Sequence, residues 1–453
     1  MPPCDPESKV CENGVKNQQS FWNTPGTSGF RKYPTFREQG VKSPDRWLEG
    51  KRIDDDIGPY WRVHDKLYDL SSFIEKHPGG RDWLLATRGT DVTELFESSH
   101  ISLAPEALLA KFYVKDAEKP RNSPFTFRED GFYKKFKSKV RPILQKVGTG
   151  PSRKMLMIMD GITTVFITLT LIATITQSAF IASIAGITLS LASIASHNFS
   201  HQRDNWRMYV IDLSMLCSYD WRITHVLSHH PFPNTFYDLE VARLEPVLVL
   251  LPDPGKNLMQ RFGCRIYEYL IYPIHFYLNA LKKYYLIIRG EEQFRPELLL
   301  PGLELVVMAL IAPSIWGAIW IWFVVHTSNS CFWAAIALVL SHHHPDAYHE
   351  GDRQREDLDW GLCQLDATRD RAEIVGNLFL VVTTLGDHSL HHLLPTVDHS
   401  KLPYIYPVFF EMCKEYNIPY RFYSQWEMFL GKYRTLANNT PSTQLPGYKP
   451  HND

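Results

Sequence analysis

The sequence predicts a small α+β domain followed by an all-α integral membrane domain with about four transmembrane helices. Three observations predict it. Residues 155–176 and 179–196 are nearly free of charge and Leu298 to Val325 is a third apolar block, and a bilayer crossing needs about 20 such residues. Ahead of them, alternating apolar positions and the turn His77-Pro78-Gly79-Gly80 have the texture of a compact mixed domain. Beside the apolar stretches stand three histidine boxes, His197-Asn-Phe-Ser-His201, His225-Val-Leu-Ser-His229-His230 and His388-Ser-Leu-His391-His392.

Composition removes several alternatives. A formal charge of −1 over 453 residues gives no reason to expect a nucleic-acid partner. The seven cysteines are scattered, none beside a box and none in Cys-x-x-Cys, so neither a thiolate zinc site nor a disulfide-built secreted fold is expected. The start, Met1-Pro-Pro-Cys4, lacks the positive and apolar regions of a secretory signal peptide.

Taken in order, residues 1–42 are polar, rich in Gly, Pro, Ser and Asn, and read as a mobile extension. A domain over 43–118 follows. Tyr60 to Leu70 has apolar positions spaced for a strand and turn, and Thr90 to Phe96 leads to His100. Pro78 and the two glycines make a tight turn that lifts the His77 imidazole toward a flat ligand. His100, 23 residues on, can approach from the other side to give bis-histidine haem iron. Residues 45–118 resemble the cytochrome b5 family in that turn, in Trp61-Arg-Val63 and in Asp91-Val-Thr-Glu-Leu-Phe96. The resemblance implies haem b with His77 and His100 as axial ligands, although the spacing to His100 is a residue shorter than in many members.

Residues 119–154 are a basic linker, with Lys134, Lys135, Lys137, Lys139, Arg141, Lys146, Arg153 and Lys154 on an amphipathic run. Alone it reads as a solvated helix face; directly ahead of an apolar stretch it reads as the cytosolic flank of a membrane helix. The two stretches joined at Gln177-Ser178 then form a hairpin with both ends in the cytosol, and box one lies on that face. Asp160, near the basic end, takes an interfacial position. Asp204, Asn205 and Asp220 are candidates to accept the second ring proton of a ligating histidine, or else are solvated loop residues. Residues 240–298 mix Leu-rich and Tyr-rich runs with charges and read as helices along the membrane surface or over a substrate groove. The third apolar block turns near Pro313 to Gly317 or near His326 to Ser330; the first is preferred and makes Cys331 to Leu340 a surface segment. The membrane domain spans 155–436, and residues 437–453 are a polar, frayed tail.

A lone histidine is more often a surface or core residue than a ligand, but burying eight unpaired imidazoles has no structural purpose. In a helix, His197 with His201 and His225 with His229 share a face, so each box can aim two ring nitrogens at one point. Eight ligands are too many for one four-coordinate zinc. The boxes therefore imply two metal ions or one with open positions, and an all-imidazole set leans toward iron or copper oxygen chemistry. The triple-box pattern over roughly 150–430 resembles the membrane fatty acid desaturases, as do His230-Pro-Phe-Pro-Asn234 and His392-Leu-Leu-Pro395. Asp359-Trp360 and Gln364-Leu365 resemble the segment ahead of box three in front-end desaturases, which usually have Gln where this chain has His388. The resemblance implies two iron ions held by His197, His201, His225, His229, His230, His388, His391 and His392, plus one of His342, His343 and His344. His275, His326, His349 and His399 lie outside any box and are not expected to be ligands.

Together the two resemblances imply a cytochrome b5-like haem domain fused to a desaturase-like membrane domain. They imply a fatty acyl desaturase-like oxidoreductase with di-iron O2 activation, fed by its own haem and acting on a long-chain acyl lipid. The implied partners are the lipid bilayer, NADH-cytochrome b5 reductase and O2. The implied location is the endoplasmic reticulum membrane, multi-pass, with the N-terminal domain and the boxes cytosolic. Two other readings stay open. One is an acyl-chain or sphingoid hydroxylase of the same fold, since both reactions begin by removing a hydrogen. The other is a non-catalytic membrane electron carrier that keeps haem without a working iron pair.

Overall fold

Ser43 caps the first helix, α1 (Pro44–Asp55), by accepting from the Arg46 amide, and Pro44 follows it at a position where a missing N–H costs nothing. In this computed structural model, which describes residues 28–337 and 341–447, α1 leads into a three-stranded antiparallel sheet. Its strands are β1 (Trp61–Val63), β2 (Lys66–Tyr68) and β3 (Tyr113–Asp116), with Trp61 opposite Tyr68 and Leu67 opposite Lys115. Short helices α2 (Arg81–Thr87), α3 (Thr93–Ser99) and α4 (Ala104–Leu109) close over it, around a core of Trp61, Val63, Tyr68, Leu70, Ile74 and Leu109.

The basic linker is a packed helix, α5 (Phe132–Val147). Phe132, Phe136, Val140 and Leu144 recur at helical spacing and bury against Trp360, Leu390 and Phe409 in the largest core. Several of its cations are paired with residues outside the helix. Lys134 and Lys137 reach the Glu97 carboxylate of α3 at 2.8 and 3.0 Å, and Lys139 bonds Glu411 and Glu415.

Three helices are long and apolar enough to cross a membrane: α6 (Arg153–Thr176), α7 (Ala179–Ser200) and, after α8 (Leu239–Leu244), α9 (His275–Ile288) and α10 (Leu300–Ile311), α11 (Ile315–Ala337). Helix α7 is central. Gly186 lets α11 come so close that a Cβ there would lie 2.2 Å from the Val325 carbonyl oxygen, and Ala182 and Ala185 are buried on α7 near that crossing. The Gln177-Ser178 turn forms as expected, with Gln177 at φ 55°. Asp160 on α6 meets Arg207, just beyond α7, in a two-point ion pair at 2.7 Å, which fixes the start of α6 and the end of α7 on one side.

Among the described residues three helices have crossing length, against about four expected; the fourth apolar helix, α10, has 12 residues and continues a 3-10 turn over Pro296–Leu299, which leaves a fourth crossing unconfirmed. The expectations fail at three other places. The chain does break at 312–314, but α11 then runs unbroken through Cys331 to Ala337, which is therefore no surface segment; 338–340 lie outside the described residues. Within the expected mobile extension, residues 28–42 are anchored: Phe36 is buried, Ser28 gives two 2.7 Å hydrogen bonds to Glu350, and Arg37 pairs with Glu245 at 3.0 Å. Residues 1–27 lie outside the described part. In the expected frayed tail, the Ser442 amide donates to Asp352 and its carbonyl accepts from Arg353, so the chain up to 447 packs back on the 346–353 loop; 448–453 lie outside the described residues.

Candidate haem and metal sites

His77 ends a short 3-10 turn and His100 ends α3, so both rings leave the backbone where a helix stops. Each Nδ1 is held by a main-chain carbonyl, Gly80 for His77 and Phe96 for His100, both at 2.9 Å. The ring centroids stand 6.4 Å apart. With imidazole–metal bonds of about 2 Å on either side of one ion, ring centres fall roughly 6 Å apart, so the spacing fits one iron between two rings. Around them lies a cavity of about 1000 Å³ lined by Leu70, Phe73, Leu95, Phe96 and Phe112, an apolar slot for a flat macrocycle. Burial pushes His100 down to about 4, so it presents a neutral lone pair.

The cavity is not closed by this domain alone. Arg141, His201, Val226, Leu227 and Pro395 from beyond residue 118 line its other wall. The two domains are keyed together beside it. The Tyr133 hydroxyl donates to the Glu97 carbonyl, Arg141 to that of Ile101 and Thr396 to that of Ser99. Gly80, at φ 115°, abuts the Asp204 carboxylate, which an added Cβ would approach to 3.0 Å, and Arg222 pairs with Asp204 while covering Trp83.

The boxes converge in two groups, each with donor nitrogens within 4.8 Å of one another: His197, His201, His225, His230 and His391, and His229, His342, His388 and His392. Their Nε2 atoms face inward. In the first group the Nε2 pairs stand 2.7 Å (His197–His225), 2.9 Å (His197–His201), 3.1 Å (His225–His230) and 3.2 Å (His197–His391) apart. In the second they stand 2.7 Å (His342–His388), 3.0 Å (His229–His342) and 3.1 Å (His342–His392) apart. Two ligands at right angles, each about 2.1 Å from one ion, lie about 3 Å apart, so both groups have the spacing of donors around a cation. His230 stacks on His392 at 4.1 Å and joins the groups.

Box two shows how the chain divides its ligands. Arg222–His229 is a π-helical turn, and the His230 amide bonds the His225 carbonyl five residues back. That wider turn aims His225 and His230 together into the first group and His229 into the second, while His225 and His229 still stack on one face and share a smaller cluster with Glu240, as expected of that box. A π-turn inserted in a helix is a frequent device at functional sites. In box three, on helix α12 (His388–Leu393), His388 and His392 go to the second group and His391 to the first. Of the fourth cluster only His342 joins, its Nδ1 held by the Ala367 carbonyl at 2.8 Å. His344 turns instead toward the Asp346 amide and Tyr423. His275, His326, His349 and His399 stay outside both groups, although His399 packs 4.5 Å from His391.

Some second ring nitrogens are backed by residues the sequence reading missed, while those of His201, His230, His388 and His391 have no hydrogen-bond partner among the described residues. Asp238 accepts from His229 Nδ1 and Glu240 from His225 Nδ1, both at 2.8 Å, while Gln364 Oε1 meets His392 Nδ1 at 2.9 Å. The available signal was two acids, Asp238 and Glu240, in an otherwise apolar stretch just after box two. The earlier candidates do other work: Asp204 holds Arg222, Asn205 caps a 3-10 helix, and Asp220 pairs with Lys283. Burial keeps His201, His230, His388, His391 and His392 well below the usual imidazole range, neutral and able to donate lone pairs. His229 is the exception: burial lowers it, but Asp238 and Glu240 outweigh that and raise it to about 9.

Comparison with known proteins gives the same two halves. The fatty acid desaturase family model matches residues 176–424, and that of the cytochrome b5-like heme/steroid binding domain matches 47–118. The "Cytochrome b5-related protein" of Drosophila melanogaster is 37% identical over 423 residues, 92% of this chain and 96% of that one. The protein of the same description from Drosophila virilis is 44% identical over 123 residues, 27% of this chain and 86% of that one. "Acyl-lipid (8-3)-desaturase B" of Dictyostelium discoideum is 23% identical over 417 residues, 80% of this chain and 87% of that one. No solved structure matches.

Proposed function

Because this chain belongs to the fatty acid desaturase family and carries a cytochrome b5-like domain ahead of that part, we propose that it is a membrane-bound acyl-lipid desaturase that uses its own haem domain as electron donor. The observation that carries this reading is His201. It is a member of the five-histidine group and also lines the haem cavity, so one imidazole separates the two sites. In this reading His77 and His100 would hold haem, which would supply electrons singly, and the nine histidines would hold two iron ions for O2 activation, with NADH-cytochrome b5 reductase as the outside reductant.

The chain's own residues orient and protect that chemistry. Asp238 and Glu240 fix the tautomer and orientation of His229 and His225 and raise their basicity as ligands. Trp221 lies stacked on His225 at 4.9 Å and screens that ring from water. The interdomain contacts of Glu97 hold the donor beside the acceptor, replacing a bimolecular encounter by a tethered one. The domain limits of 43–118 and 155–436, a cytosolic placement of both sites and a location in the endoplasmic reticulum belong to the same proposal.

The test is expression of the full chain in yeast with lipid profiling by mass spectrometry. The expected new species is an acyl chain lighter by two hydrogens. A chain heavier by one oxygen would replace this reading by the hydroxylase, and an unchanged profile from haem-loaded protein would replace it by the electron carrier.

A further inference from the structure

Box one and the segment after box three are tied together by side chains that are not members of either histidine group. Asn198 stands inside box one, between His197 and His201, and is buried, so its amide must find partners within the protein. Its nitrogen donates to the Asp398 carboxylate at 2.7 Å, and its oxygen accepts from the His399 amide at 3.2 Å and meets His399 Nδ1 at 2.7 Å. Asp398 is held in turn by the Gln202 side chain at 3.1 Å and by the Ser400 amide at 2.9 Å.

That arrangement decides which nitrogen of His399 carries the proton. An ionised carboxylate only accepts, so Asp398 turns the Asn198 nitrogen toward itself and leaves the amide oxygen facing His399. Nδ1 is therefore the donor in the neutral ring, and Nε2 keeps its lone pair. This Nε2 is buried and has no hydrogen-bond partner among the described residues. The His399 ring lies 4.5 Å from that of His391, with the two planes 31° apart. His391 has the complementary need. Its Nε2 faces the other donors of the five-histidine group, which leaves the ring proton on Nδ1, and that atom too is buried without a partner among the described residues. A ligating histidine ordinarily passes its second ring proton to an acceptor, so an orphaned donor and an orphaned acceptor on neighbouring rings match.

We propose that His399 is a positioning residue of the five-histidine group: its Nε2 accepts the Nδ1 proton of His391 through one buried water, and Asn198 and Asp398 hold it in place to do so. The two rings share no direct hydrogen bond, and a water between two buried polar atoms that lack other partners serves both. The contact fixes the plane of the His391 ring and strengthens its Nε2 as a donor, as Asp238 and Glu240 do for the rings of box two. Box three is thereby steadied from inside box one, because α7 carries Asn198 between two of the histidines. The inference rests on the metal-holding part of the reading above and is independent of which lipid is the substrate.

The experiment measures Fe(II) affinity by anaerobic competition with a chelating dye, on full-length haem-loaded protein in detergent stripped of its other metal. Asparagine and glutamine divide the functions of the His399 ring. His399→Asn keeps a donor for Asn198 and has no atom at the position of Nε2, whereas His399→Gln sets an amide oxygen near that position and gives up Asn198. His399→Asn is expected to weaken one ion about tenfold, the same ion that His391→Ala weakens, and His399→Gln to recover most of that loss. Combining His399→Asn with His391→Ala should weaken iron no further than His391→Ala alone, because the first change acts only through His391. Thermal unfolding followed by tryptophan fluorescence checks that each variant is folded. Full affinity in His399→Asn, a loss in His399→Gln as large as that in His399→Asn, or a further loss in the double variant overturns the proposal and leaves the metal reading standing. If His391→Ala itself holds both ions as tightly as the unsubstituted protein, the metal reading of the five-histidine group falls, and this inference with it.

Discussion

The two histidine sites are built on opposite plans. At the haem pocket, the group that orients each ring is a carbonyl within four residues of it, Gly80 for His77 and Phe96 for His100, and the rings face each other across open space. In the metal groups the orienting atoms come from 9 to 28 residues away (Asp238, Glu240, Ala367, Gln364), and the rings are drawn from α7, the π-turn, the loop after α11 and α12. A locally oriented ring pair forms whenever its short segment folds, even though the other wall of its cavity comes from beyond residue 118. A site assembled from distant elements exists only when the whole domain has packed, so its chemistry and its fold are coupled.

The largest effects separate the two plans outright. His391→Ala should lower product formation by at least about 100-fold and reduce the metal bound by the histidine groups, while the haem spectrum stays as it was. His77→Ala should abolish the haem spectrum and leave the other metal content intact. Absorbance together with metal analysis of the two purified variants measures both. Loss of haem in His391→Ala, or of the second metal in His77→Ala, would erase the independence that the local plan requires.

A smaller effect tests the backing residues. Asp238→Asn keeps an acceptor for the Glu240 amide, which Asp238 caps, but removes the charge that raises His229. Competition with a chelating dye should find metal held about 10- to 100-fold more weakly, with haem affinity unchanged. At the haem pocket no matching substitution exists, because its backing atoms are main chain.

That same difference decides how much could be read from the sequence. The His77 turn, the boxes and the Gln177 hairpin are short and carry their geometry in a few residues, so their positions were legible. The division of box two was not, because helical spacing presumes 3.6 residues per turn and Arg222–His229 is wound more widely. Asp238 and Glu240 carry only the signal of two acids in an otherwise apolar stretch, which does not say which rings they reach after folding. The choice of His342 over its two neighbours depends on where the Ala367 carbonyl sits after folding. Residues 28–42 looked mobile because their partners, Glu245 and Glu350, lie more than 200 residues away.

The smallest effect concerns the contact between the two plans. Glu97 is 1% exposed and bonds Lys134, Lys137 and His64. Burial raises its carboxyl, but these donors outweigh burial and hold it far below its ordinary 4.5. A depressed carboxyl stabilises the folded arrangement fully above its unfolded value, and the contribution fades as pH falls below it, because the unfolded form then binds the proton more readily. Docking of the haem domain on α5 should therefore weaken as pH drops below about 4.5. Glu97→Gln should impose the loosened state at neutral pH and remove this carboxylate's share of the acid response. Since residues 117–131 still tether the domains, effective concentration keeps electron delivery going, and turnover should fall by less than about tenfold. Protease cleavage within 117–131 reads the docking directly. If that connection is cut no faster in Glu97→Gln than in the unsubstituted protein, the ion pairs with Lys134 and Lys137 do not hold the domains together, and the apolar contacts around Tyr133 and Ile101 do.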